Sequence, residues 1–133
     1  MDSRIEQACE RHHKGYNCAQ AVVCTYADLF GIDEDTAYRM SESFGFGMGT
    51  QEVCGALTGA LMVLGLQNSG GMEQPGATKG ATYRDARVLT AKFREATGAL
   101  LCREIKTQQP LCSCDRCVEC GARLVEDEIL YKV

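Results

Sequence analysis

Nine of the 133 residues are cysteine. The thiolate is the form that attacks disulfides and binds soft metals, so the first question is where a thiolate is favoured. A helix N-terminus favours it through unpaired N–H groups and the positive end of the macrodipole. Cys18 follows Asn17, a good N-cap, and shares a helical face with Val22, Tyr26 and Leu29, which predicts that it points inward. Cys54 falls in the first turn or two of a long apolar segment, just after the glycine-rich stretch Phe44-Gly45-Phe46-Gly47-Met48-Gly49. Cys114 extends the stripe of Val118 and Ala122 and is also predicted inward. Cys102 sits in a short turn beside Arg103. Cys24 shares a face with Gln20 and Asp28 and is expected to be solvated and remote from the others.

The C-terminal run Cys112-Ser113-Cys114-Asp115-Arg116-Cys117-Val118-Glu119-Cys120 contains Cys-x-x-Cys-x-x-Cys, the opening spacing of a bacterial-type ferredoxin cluster. The fourth Cys and Pro of that run are absent. A Cys-x-x-Cys pair also suits a redox dithiol or half a zinc site. On one continuous helix Cys114, Cys117 and Cys120 spread over about 120° and do not all meet one ion. Cys9-x-x-His12 with His13 offers further metal donors, although a buried thiol beside a solvated helix end accounts for the same pattern. A Ser/His/Asp or Cys/His hydrolase is disfavoured, because the only two histidines close the first helix and nothing brings them to Cys54. The glycine-rich stretch lacks the Gly-Lys-Ser/Thr ending of a phosphate loop.

The elements that must hold these residues read as helices. The first spans Asp2 to about Lys14, with His12, His13 and Lys14 where cations suit the dipole. The second starts after Asn17 with Gln20 at N3, a capping-box pattern, and ends at Gly31. The third opens at Asp33 and runs to about Ser43. The fourth, Thr50 to Leu64, is apolar almost all round and is predicted to lie at the centre of the bundle. Its Gly55 and Gly59 leave room for another backbone. The fifth runs from about Thr78 to Thr97. A short turn, Ala99 to Lys106, and a Gln-Gln-Pro break lead to the last, about Cys114 to Tyr131. The expected fold is all-α, a compact single domain over residues 1–133 with five to six helices around the apolar helix at about 50–65.

Apolar residues make up 45% of the chain and charged residues 24%, ordinary for a globular protein. A net charge of −4 argues against nucleic acid or an anionic membrane as partner. The start lacks the basic and apolar regions of a signal peptide, and the uncharged run from Val53 to Met72 loses its apolar character after about 14 residues, too few to span a bilayer. A cytoplasmic location is expected, where thiols stay reduced and a high cysteine count points to redox or metal chemistry.

Three segments together carry a resemblance. They are Gly15-Tyr16-Asn17-Cys18-Ala19-Gln20-Ala21, the stretch Glu52-Val53-Cys54-Gly55-Ala56-Leu57-Thr58-Gly59-Ala60 continuing to Leu66, and Cys102-Arg103-Glu104. They resemble the C_GCAxxG_C_C family, small bacterial and archaeal proteins with four characteristic cysteines and a proposed redox activity. By position the resemblance implies Cys18, Cys54 and Cys102 as the first three. The fourth implied cysteine is Cys114, which opens a Cys-x-x-aromatic-Val-x-x-Ala-Ala pattern in which Cys117 replaces the aromatic residue.

The leading expectation is a thiol–disulfide redox protein with Cys54 as nucleophile and Cys18, Cys102 and Cys114 as resolving or relay thiols, serving an unidentified redox partner protein. The second is an iron–sulfur cluster or zinc held by Cys18, Cys54, Cys102 and Cys114, with Cys117 or Cys120 as substitutes. The third is a helical interaction module with structural thiols. Oligomerisation is compatible with each. Cys18, Cys54 and Cys114 are expected to converge, with Cys102 adjacent; a disulfide would need Cα separations of about 4.4–6.8 Å.

Overall fold

The computed structural model describes residues 2–107 and 112–131. Seven α-helices occur among them: α1 (Ile5–His13), α2 (Cys18–Tyr26), α3 (Glu34–Ser41), α4 (Gly55–Asn68), α5 (Lys79–Thr97), α6 (Cys102–Ile105) and α7 (Cys114–Leu124). The extended pairing among the described residues is an isolated bridge between Val53 and Leu101, so the fold is all-α as expected. The Gln108-Gln109-Pro110 break lies outside the described residues.

Helix α2 starts where the sequence placed it. The Asn17 side chain accepts from the Gln20 amide at 2.8 Å, and the Gln20 side chain accepts from the Asn17 amide at 2.9 Å. Every residue from Cys18 to Tyr26 is buried. The expectation that Cys24 is solvated is therefore wrong. It packs with Val23, Ala27 and Ala37 in a small second cluster, and its thiol donates to the Glu34 carbonyl at 3.7 Å. Of the polar face read from Gln20 and Asp28, Gln20 is roofed by a neighbouring helix and donates to the Tyr38 carbonyl, while Asp28, past the end of α2, stays exposed and pairs with Arg4. Beyond Tyr26 the chain tightens into a 3₁₀ turn, Ala27–Phe30, which shifts the apolar stripe. Leu29, predicted inward, is 39% exposed as a result.

Helix α4 lies beside α2 and also packs on α5 and α7. Two glycines set how close it comes. A Cβ on Gly59 would stand 2.9 Å from the Ala19 carbonyl oxygen. Across the α4–α7 contact, a Cβ on Gly121 would stand 2.6 Å from the carbonyl oxygen of Ala56. Helix α1 packs against both α2 and α7. Below the main core, the Tyr26 hydroxyl donates to Glu126 at 2.6 Å, and the Arg4 amide donates to the same carboxylate oxygen at 2.7 Å. No described helix is long and apolar enough to cross a membrane.

The fourth helix starts at Gly55, not at Thr50. The intervening segment turns sharply, with Phe46, Met48 and Gln51 all at positive φ, a conformation that ends any helix. It then extends so that the Cys54 amide donates to the Leu100 carbonyl at 2.9 Å and the Cys102 amide donates to the Glu52 carbonyl at 2.6 Å. Cys54 is thus the N-cap of α4, and Cys102 opens α6 directly after Leu101 of the paired segment.

Candidate functional site

The sulfur-bearing ends of α2, α4 and α7 meet in one place. Cys18 opens α2, Cys54 precedes α4, and Cys114 opens α7, so three helix N-termini face one another. Their positive ends favour negative charge there. Cys54 shares sulfur hydrogen bonds with both Cys18 and Cys117, and Cys117 makes another with Cys112. Cys18 reaches Cys114 on its other side: the ligand atoms of His12, Cys18 and Cys114 lie within 4.8 Å of one another. The sulfurs therefore form a contiguous row, Cys114, Cys18, Cys54, Cys117, Cys112. All nine cysteines are free thiols.

Burial along the row is uneven. Cys54 is 1% exposed and Cys117 fully buried, whereas Cys114 is half-buried and opens to solvent. Lys106, just after α6, is half-buried and hydrogen-bonds Cys114. Burial disfavours its charge, but that hydrogen bond and the neighbouring Cys18, Cys114 and Cys102 outweigh it and hold the ammonium above its ordinary range.

The buried trio shares its protons unequally. Hydrogen bonds from Cys117 and Cys18 favour the anion at Cys54 against the cost of burial, and the Ala56 amide and Lys106 add to this. The Cys54 sulfur does not close a formal helix cap, yet the Ala56 amide still faces it. Its thiol is pushed down. Cys18 and Cys117 are pushed up, chiefly because each donates to Cys54 and also because each is buried. One thiolate flanked by two S–H donors is the arrangement that satisfies all three sulfurs.

Of the cysteines singled out from the sequence, Cys18, Cys54 and Cys114 are brought together. Cys102 is fully buried and adjacent through the backbone pairing beside Val53 and Leu101. Its side chain packs over Gly47, where a Cβ would stand 2.9 Å from the Cys102 Cβ. Gly47 has φ of +59°, so the turn needs glycine there for both conformation and space. Cys120 is half-buried on α7, where burial and the charge at Cys112 push its thiol up. Cys24 stands apart in its own cluster, and burial with the Glu34 charge raises it to about 11.

Sequence reasoning missed one participant and misplaced two. Cys117 was read as replacing an aromatic residue and as a substitute ligand, yet its free thiol stands directly against Cys54. Lys106 carried no signal, because a lone lysine in a short turn reads as a solvated surface charge, and only the packing of α6 brings it to Cys114. His12 was paired in sequence with Cys9, whereas in space it stands beside Cys18 and Cys114. The available signal was the charge pattern: the basic end of α1 meets the acidic start of α7, where Asp115 takes His12 Nδ1 at 2.7 Å and His13 Nε2 at 3.0 Å.

An all-α bundle whose helix N-termini converge on a row of free thiols defines a cysteine-centred helical protein with redox-capable groups. Residues 16–128 match the family described as "Putative redox-active protein (C_GCAxxG_C_C)", and the chain belongs to that family. No curated protein and no solved structure gives a significant match to the chain.

Proposed function

We propose that this chain is a thiol–disulfide relay of a reducing, cytoplasmic compartment, acting as one helical domain on a partner protein's disulfide. The observation that carries the reading is the row of sulfurs running from half-buried Cys114 through Cys18 to Cys54. Its burial refines the expected order of events. Cys54 is too enclosed to meet a partner's disulfide first, so Cys114 is the entry thiol and Cys54 the internal one.

In the first step the Cys114 thiolate, beside Lys106, attacks one sulfur of the partner's disulfide. A mixed disulfide forms and the partner's other sulfur leaves as a thiolate. Cys18, its proton taken up by solvent, then attacks Cys114 and releases the partner's second thiol. The Cys54 thiolate attacks Cys18 in turn, which leaves a Cys18–Cys54 disulfide and a free Cys114. Two electrons and two protons have passed to the partner, and the oxidised protein is re-reduced by an external dithiol. Cys102, buried over Gly47 next to the Val53–Leu101 pairing, shields the internal pair.

The test is oxidation of the reduced, chelator-treated protein with glutathione disulfide, followed by peptide mapping without reduction. The expected linkage at completion is Cys18–Cys54, preceded by a glutathione adduct at Cys114. Disulfides formed elsewhere while Cys54 stays free would overturn the assignment.

A further inference from the structure

We propose that His12, Cys18 and Cys114 form a binding site for one zinc ion, with Asp115 orienting the histidine. The three ligand atoms lie within 4.8 Å of one another, and each comes from a different helix: the end of α1 and the starts of α2 and α7. Two thiolates and one imidazole are a donor set suited to tetrahedral zinc with an open fourth position.

A second observation points the same way. His12 Nδ1 is engaged by Asp115 Oδ1 at 2.7 Å, which fixes the ring and leaves Nε2 as the nitrogen with a lone pair to give. The other Asp115 oxygen is held by His13 Nε2 at 3.0 Å, so the carboxylate itself is anchored. A carboxylate behind a histidine is how metal-binding imidazoles are commonly oriented. A contact between helix ends of opposite charge would explain Asp115 with His12 and His13, but not the placement of His12 against two thiols. His12 and Cys114 are half-buried, so an ion can enter from solvent, while Cys18 closes the inner side.

Binding is a simple exchange: Zn²⁺ enters and both thiols release their protons. The ion would occupy the mouth of the sulfur row. It holds Cys18 and Cys114 together and withholds both from disulfide exchange, so metal loading and thiol relay would exclude one another. The site itself does not depend on the relay, since Cys54 is not among its ligands.

The experiment is anaerobic titration of the reduced, chelator-treated full chain with Co²⁺, followed by displacement with Zn²⁺. One equivalent is expected to bind, with sulfur-to-cobalt charge-transfer absorption and the visible bands of a tetrahedral ion, both abolished by zinc. His12→Ala should weaken binding at least about 100-fold, and Asp115→Ala about 10–100-fold, the range for losing a ligand's outer hydrogen bond. Far-UV circular dichroism checks that both variants stay folded. In Cys54→Ser, which lacks the internal thiol of the relay, the same tetrahedral thiolate bands should still appear at one equivalent, whatever the change in affinity from losing a neighbour of Cys18; their loss would make Cys54 a ligand and overturn the proposal. Undiminished binding in His12→Ala would assign the metal to cysteines alone and overturn the proposal. So would the absence of thiolate absorption at one equivalent.

Discussion

Helix α2 carries a buried cysteine near each end, and the two live in different chemistry. Cys18 sits where three helix N-termini meet and touches sulfur on both sides. Cys24, nearly two turns on, donates to a carbonyl and packs in an apolar cluster with Val23, Ala27 and Ala37. The packing differs as well. At the Cys18 end, Gly59 and Gly121 bring backbones into contact. At the Cys24 end, Val23, Ala27, Met62 and Gly65 border an open apolar hollow. Burial and the Glu34 charge raise the Cys24 thiol, whereas at the other end sulfur neighbours, a helix start and Lys106 favour the anion at Cys54.

The contrast is broken most completely through the thiols themselves. Cys18→Ser should abolish the proposed disulfide to Cys54 on oxidation and leave Cys54 open to alkylation after unfolding, read as the missing cross-linked peptide. Cys24→Ser should leave that disulfide's yield and rate unchanged. If Cys24 instead pairs with Cys18 or Cys54, the two ends are not separate.

The next largest effect is on packing. Gly121→Val drives a side chain into the Ala56 carbonyl and should cost about 3 kcal/mol, the upper end for overpacking, with a lower midpoint in urea unfolding. Gly65→Ala, on α4 where it borders the hollow at the Cys24 end, meets no atom within 4 Å and should be neutral or stabilising by about 0.5–1 kcal/mol. Equal losses from both would erase the difference in packing.

A smaller effect separates Cys24 by pH. Its folded value, raised to about 11 from an ordinary 9.0, means the folded state keeps a proton the unfolded chain gives up. Its contribution is fully present below about pH 9 and is lost as the pH rises towards 11. Over that window the parent should lose about 2 kcal/mol more stability than Cys24→Ala does. Parallel curves for the two proteins would show that Cys24 is not sheltered.

The smallest effect lies just outside Cys24. Glu34 is held below its ordinary range by Arg11 and Tyr16. Stability from it is present above about pH 4.5 and is lost as the pH falls through the folded value. Because the Glu34 side chain is 45% exposed, the difference between parent and Glu34→Gln across that acid limb should stay under about 1 kcal/mol.

These outcomes also mark what was legible in the sequence. The caps were: Asn17 with Gln20, and Asp33, announce helix starts by local hydrogen bonding, which depends on a few neighbouring residues. The inward stripe of Val118 and Ala122 was legible too, although Cys114 at its start is only half-buried. The burial of Cys24 was not, because Gln20 and Asp28 mark a polar face by residue type, whereas α3 packs over it and accepts the Gln20 hydrogen bond at the Tyr38 carbonyl. The start of α4 was misplaced because Thr50 and Gln51 suit a helix by propensity, while the pairing of Val53 with Leu101, nearly fifty positions apart, decides the backbone there. The partnership of His12 with Cys18 and Cys114 is likewise a product of helix packing. Its histidine and thiols lie on separate segments, and spacing along the chain carries no trace of it.

The clamp at the start of α2 has a consequence for how such a site could cycle. Asn17 and Gln20 grip each other, while their remaining amide nitrogens hold the Glu42 and Tyr38 carbonyls at 2.9 and 3.1 Å. Gly45 lies so close that any side chain there would overlap Asn17. Carboxamides neither titrate nor change with thiol oxidation in the range where the sulfurs do. The scaffold that sets the position of Cys18 is therefore blind to the chemistry it hosts. Protons, electrons or an ion can come and go at the sulfurs while the Asn17 and Gln20 hydrogen bonds keep the same donors and acceptors, so the frame is not remade on each turnover.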